Sequence, residues 1–263
     1  MARNLPWGTV IAAPIGLGIS STAWGNNGPQ AWRSVSKYGA DPALTTGAVE
    51  TVWPGTGSIP RPSTAVTLQI VSTSTADKAA STGAHTDTVQ GHDKYWAEIE
   101  ETVTLNGDAA VTFSSTGWRR VNRAFVATAG SDNTNVGNLN ISTGSTTPVY
   151  AIIPAADGQT LQASYTVPAG YSAHVTQFNV SADGPTKQNT AGGLRADFVQ
   201  IPFGGARRVA ERHYVPSKSG EMQRHYDVPA RYPAKTDLEI AARTDSTGVV
   251  AAASFDLILE PTS

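Results

Sequence analysis

Glu98-Ile-Glu-Glu-Thr-Val-Thr-Leu-Asn-Gly-Asp-Ala-Ala-Val-Thr-Phe113 is the stretch on which the fold is decided. Val103 and Leu105 alternate with Thr102 and Thr104; Asn106-Gly107 follows; then Val111 and Phe113 alternate with Ala110 and Thr112. A period of two is what a half-buried strand requires, because successive side chains point to opposite faces. Asn-Gly tolerates the positive φ of a tight turn, so the whole stretch predicts an antiparallel hairpin. The arms are not symmetric about Asn106-Gly107, which predicts a loop longer than two residues.

The same pattern extends in both directions. Ala65-Val-Thr-Leu-Gln-Ile-Val71 places Val66, Leu68 and Ile70 on one face. Further short strands are predicted over residues 85–90, 95–105, 110–114, 118–127 and 139–142, giving a first β-sandwich domain over 63–146. After it, strands over 160–167, 172–180, 194–203, 207–215, 222–228, 237–243 and 249–259 suit a second, jelly-roll-like sandwich over 147–263. No segment holds a 3.6-residue period, so very little helix is predicted. Residues 1–62 lack periodicity and carry seven prolines and four of the six tryptophans, Trp7, Trp24, Trp32 and Trp53. Each such ring wants some 150–250 Å² of cover, so this stretch is predicted to be an extended arm lying against a neighbouring subunit. The fold class is therefore all-β: an extended N-terminal arm followed by two antiparallel β-sandwich domains.

Composition narrows the chemistry. The net charge of −2 supplies no field for nucleic acid or an acidic membrane. Zero cysteines exclude disulfides and a thiolate nucleophile. The apolar run Val10-Ile-Ala-Ala-Pro-Ile-Gly-Leu-Gly-Ile19 is too short to span a bilayer and is broken by Pro14, Gly16 and Gly18, so no leader or anchor is predicted. The duplicated tripeptides Arg212-His213-Tyr214 and Arg224-His225-Tyr226 would bring two imidazoles together if their strands formed a hairpin, as a shared metal site or pH switch would require. A half-buried aromatic and polar face is the simpler reading. Gly91-His92-Asp93 reads as a turn. Glu98, Glu100 and Glu101 read as a charged edge strand before a glycosidase pair. Asp132-Asn-Thr-Asn135 has oxygen ligands but lacks the spacing of a calcium loop. Arg119, Arg120 and Arg123 form a basic cluster that reads as an interface salt bridge. No cofactor, no resident metal and no enzymatic activity is expected.

One resemblance adds to this. Asp77-Lys-Ala-Ala-Ser-Thr-Gly-Ala-His-Thr86, Gln90-Gly-His-Asp93, Glu101-Thr-Val-Thr-Leu-Asn-Gly107, Val121-Asn-Arg-Ala-Phe-Val-Ala-Thr-Ala-Gly-Ser131 and Thr134-Asn-Val-Gly137 together resemble a pattern found in virion structural proteins of tailed bacteriophages. It covers roughly residues 65–145. Tyr165-Thr-Val-Pro-Ala-Gly170 and Pro233-Ala-Lys-Thr-Asp237 look like the domain that often follows it. The Gly-His-Asp at 91–93 stands where Gly-Leu-Asp is expected. The resemblance implies a virion component assembled in the host cytoplasm. Major capsid protein or other virion proteins are the expected partners, and a homo-oligomer is expected because closed symmetric assembly is the default, a trimer first. A capsid decoration or cement protein is the first expectation, and a tail adaptor or fibre-attachment protein the alternative. A host-surface carbohydrate-binding module is the third. The expected partner-binding residues are Trp7, Trp24, Trp32, Trp53, Arg119, Arg120 and Arg123.

Overall fold

The structure is a computed structural model that describes residues 32–144, 147–184, 193–216 and 220–262. Trp7 and Trp24 lie outside the described residues. Among the described residues the regular structure is all strand: β1 (Arg33–Asp41), β2 (Glu50–Thr51), β3 (Gln69–Ser72), β4 (Ala84–Asp93), β5 (Glu98–Thr104), β6 (Val111–Thr112), β7 (Trp118–Ala129), β8 (Leu139–Ser142), β9 (Val149–Ile153), β10 (Ser164–Thr166), β11 (Tyr171–Asp183), β12 (Gly193–Pro202), β13 (Arg208–Pro216), β14 (Gly220–Tyr232), β15 (Thr236–Thr244) and β16 (Val250–Pro261).

Alternation explains the longest of these. β16 turns Ala251, Ala253, Phe255, Leu257 and Leu259 inward and its intervening residues outward. β11 does the same with Ala173 and Val175, then slips by one residue at Thr176 against β16. The bulge lets Phe178, Val180 and Ala182 point inward again, which accounts for the imperfect period of that segment. Phe178, Phe198 and Phe255 meet at the centre, with Phe198 5.8 Å from Phe178 and 5.6 Å from Phe255 between ring centroids.

β1 and β10 to β16 make two sheets, ordered β1-β16-β11-β14 and β10-β15-β12-β13, with β2 added beside β15. Counted along the chain these eight strands run 1-8-3-6 and 2-7-4-5, the two interlocked Greek keys of a jelly roll. β3 to β9 form a second sandwich, of sheets β6-β3-β8-β9 and β5-β4-β7. It is inserted between the roll's first strand, β1, and its second, β10.

Two expectations differ from this arrangement. From residue 33 on, the predicted arm is built into the roll: β1 pairs with β16 along its whole length, Arg33 opposite Leu259 through Asp41 opposite Ala251. Its inward positions are Val35, Lys37, Gly39 and Asp41, a set too polar and too small to read as a core face. Gly39 is required there, because a Cβ would strike the Ala163 backbone and the Val52 carbonyl. The second difference concerns the predicted hairpin. β5 pairs with β4 in one sheet, whereas β6 pairs with β3 in the other. Asn106-Gly107 is a corner between sheets, with Gly107 at φ +65°. The segment before it holds it: Gly107 N donates to Asp77 O at 2.7 Å and Ser72 N donates to Gly107 O at 3.0 Å. Corner and hairpin demand the same turn chemistry, so local pattern alone does not separate them.

Gly91 of β4 faces a slip in the ladder to β7, where Gln90 pairs with Arg123 and Gly91 with Val121. A Cβ at Gly91 would fall on the Arg120 carbonyl oxygen, whereas at Gly117 it would meet its nearest atoms at 3.9 Å. Gly91→Ala is expected to cost about 2–3 kcal/mol in urea denaturation, and Gly117→Ala to stay within about 0.5 kcal/mol.

Candidate functional site

The slip just described leaves Asn122 unpaired in the β4–β7 ladder, and its polar atoms turn to the seam between the two sandwiches. Its carbonyl accepts from Lys37 Nζ of β1 and, at 3.3 Å, from Gln162 Nε2. Its side-chain Oδ1 accepts from Thr166 N of β10 at 3.1 Å, and its Nδ2 lies 3.4 Å from His92 Nδ1 of β4. One displaced residue therefore joins four segments.

Beside it lies a buried ion network. Asp237 of β15 accepts from Arg120 Nε and Nη2, each at 2.8 Å, from Thr166 Oγ1 at 2.5 Å and from Arg61 Nε at 3.2 Å. Arg61 also pairs with Glu239, which accepts from Thr51 Oγ1 at 2.9 Å. Arg33 and Glu98 close the far end at 2.9 Å. Trp96, held at φ +69°, packs edge-on against Phe203 at 4.8 Å. The Trp96 carbonyl accepts from Ala169 N at 2.9 Å. Such seams resist shear because removing any partner leaves a buried charge or polar group unmatched.

The second feature is the edge formed by β13 and β14, each the outermost strand of its own sheet. Between Ala230, opposite Val175, and His225, opposite Gln177, four residues of β14 face the single Thr176 of β11. Tyr226–Pro229 therefore bulges out, with Val228 86% exposed at its tip, and Tyr214 on β13 is 73% exposed. Residues 203–232 hold six Lys and Arg against three Asp and Glu in a chain of net charge −2. The duplicated tripeptides meet here, through Glu211 rather than through each other. Glu211 accepts from Tyr226 OH, lies 2.6 Å from His213 Nε2 and 3.6 Å from Arg224 Nε. Burial, and then Glu211, hold the Tyr226 phenol far above its ordinary pKa. His225 instead meets Gln223 at 3.0 Å, so the shared two-histidine site does not form: β13 pairs with β12 and β14 with β11.

The expected binding residues divide. Trp32 is 62% exposed and stacks on His174 at 6.2 Å. Trp53 is buried, its Nε1 donating to Gly57 O at 2.8 Å. Arg119 lies over Trp96 and Phe203, and Arg123 over Phe125 at 5.0 Å. Arg120 is held by Asp237, an interface salt bridge between two parts of one chain. Asp93 accepts from Tyr95 N and Ala97 N at 2.8 and 2.9 Å, closing the turn after β4. Glu98, Glu100 and Glu101 face different partners: Arg33, Gln90 and the Ser114–Ser115 backbone. Asn135 is buried with its Oδ1 bound to Gly158 N at 3.0 Å. Among the described residues no group of three or more His, Asp or Glu could hold a metal ion. Sequence reasoning missed Asn122, Asp237 and Glu211. Only Glu211 carried a local signal, lying two residues before His213 on the same strand face.

No known protein family matches the chain, and no curated protein does. Among solved structures, the infectious bursal disease virus VP2 subviral particle aligns over 89% of this chain and 77% of its own at 12% identity, with a TM-score of 0.21. The Gx strain of that virus aligns over 88% and 76% at 11% identity, with a TM-score of 0.19. Overlaps that weak do not define a shared fold; the jelly roll rests on strand order.

Asp237→Asn is expected to lower stability by about 3–5 kcal/mol, since Arg61 and Arg120 lose their shared carboxylate; chemical denaturation reads it. Burial holds the His92 imidazole down to a pKa of about 3, against an ordinary 6.5. The unfolded chain therefore binds this proton first, and the contribution of His92 to stability is complete above pH 6.5 and lost as pH falls toward 3. In that window the stability of wild type should fall more steeply than that of His92→Gln, by up to about 1.4 kcal/mol per pH unit.

Proposed function

We propose that this chain is a non-enzymatic structural component of a virus particle, and more finely a decoration or cement protein that binds the major capsid protein or a neighbouring virion protein and oligomerises. The observation that carries this reading is the β13–β14 edge. It offers an 86%-exposed valine, a 73%-exposed tyrosine and the exposed Arg208, Arg212, Arg224 and Arg231 on strands whose outer ladder pairs with no other strand among the described residues. Surfaces of this kind, with aromatic and arginine side chains around a projecting apolar tip, are where binding energy concentrates. The resemblance over residues 65–145 and the use of jelly rolls in viral capsid and lectin domains support the same reading by analogy. The buried ion seam supports it physically, since a load-bearing component needs its two sandwiches to move as one. Trp7, Trp24 and Trp32 belong to the proposal as contacts to a neighbour.

Copy number in purified particles, measured by densitometry against the major capsid protein, tests the reading. One copy per one to a few capsid subunits is expected, about a dozen or fewer would move the protein to the tail, and absence from particles would overturn the proposal. Removal of residues 1–31, which leaves β1 whole, is expected to abolish attachment while the sandwiches stay folded. Val228→Asp with Tyr214→Asp is expected to weaken binding to stripped particles by at least about tenfold, a loss of about 1.4 kcal/mol.

A further inference from the structure

Lys37 is the anomalous cation of this molecule. It sits on an inward position of β1, buried against β7. Among the described residues no carboxylate lies within ion-pairing distance of it, and the charged group that acts on it is the Arg123 guanidinium, which repels it. Buried lysines are ordinarily paired, because an unmatched ammonium is costly in a low-dielectric interior. The nitrogen of Lys37 instead donates to the main-chain carbonyl oxygen of Asn122. Burial pushes the amine down to about 7, so near neutral pH a large share of it is uncharged and nucleophilic.

The carboxamide of the same asparagine lies in the same buried cluster. Thr166 N–H donates to Asn122 Oδ1 at 3.1 Å, where negative charge would develop on attack at Cγ. His92 Nδ1 lies 3.4 Å from Asn122 Nδ2, the nitrogen that would leave. Among the described residues the other ring nitrogen of His92, Nε2, is buried without a hydrogen-bond partner. Asn122 is buried, as are Lys37 and His92, so water does not compete for the acyl carbon.

We propose that Lys37 Nζ and Asn122 Cγ join as an intrachain amide, formed by the folded protein itself, which ties the first strand of the jelly roll to the inserted sandwich. The Nζ–Cγ bond forms and the Cγ–Nδ2 bond breaks. The proton lost by the amine passes to Nδ2, and Nδ2 departs as ammonia. No oxidant, reductant or cofactor enters, and the buried amine becomes a neutral amide.

Denaturing mass spectrometry of the purified full chain tests this directly. Wild type is expected to be lighter than its sequence by one ammonia, and its tryptic digest to contain a branched peptide joined at Lys37 and Asn122. Lys37→Arg and Asn122→Ala are expected to have their full sequence masses, whether or not they fold, because the measurement needs no native state. Wild type that keeps its full mass after prolonged incubation at neutral pH overturns the proposal, and so does a branch at Gln162, whose Nε2 shares the Asn122 carbonyl with Lys37.

Discussion

Asp237 between Arg61 and Arg120 is the interaction on which the arrangement depends. Neither sandwich reaches the other through a continuous apolar surface: the two cores are separate clusters, one around Phe178, Phe198 and Phe255, the other around Trp118, Phe113 and Ile70. What joins them is charge and amide, with the Trp96–Phe203 contact beside them. A buried carboxylate held by two guanidiniums and a hydroxyl is directional where apolar packing is not. It gains little over a hydrophobic seam in stability, but it penalises any other relative placement heavily.

The inserted sandwich follows the same logic at smaller scale. A one-residue slip against β4 removes Asn122 from its ladder, and Gly91 is the only residue type that lets the opposing carbonyl come so close. The slip costs ladder hydrogen bonds within the sheet. In exchange it aims a complete amide at the seam, where Lys37, His92, Gln162 and Thr166 converge. Bulges beside sites are features of this kind in many sheets.

Much of the fold was legible wherever apolar and polar residues alternated. The strands around Ile70, Val103, Phe255 and Leu257, and the jelly roll as a class, followed from period two and turn residues. β1 was not legible, because its inward face is Val, Lys, Gly and Asp, chosen to meet a seam rather than a core. The corner at Asn106-Gly107 was read as a hairpin because local sequence specifies the turn and not the sheet that each arm joins. Of the site, the Arg-His-Tyr repeats were visible as a pattern, but their common partner Glu211 depends on two different sheets bringing their edges together. Asn122 and Asp237 gave no signal at all, since each draws its meaning from residues 30 to 176 positions away, His92 for Asn122 and Arg61 for Asp237 being the two extremes.

The insertion between β1 and β10 also sets a timetable. The inserted sandwich pairs strands close in sequence and can close while the chain is still being synthesised. β1 cannot: its ladder partner β16 lies about 220 residues further on. Until that last strand is made, the roll has an open sheet with Val35, Lys37 and Gly39 uncovered, and closing so long a loop is slow. The newborn chain is therefore a finished module carrying an unfinished one, and the late arrival of β16 decides when the molecule first has its adult surface.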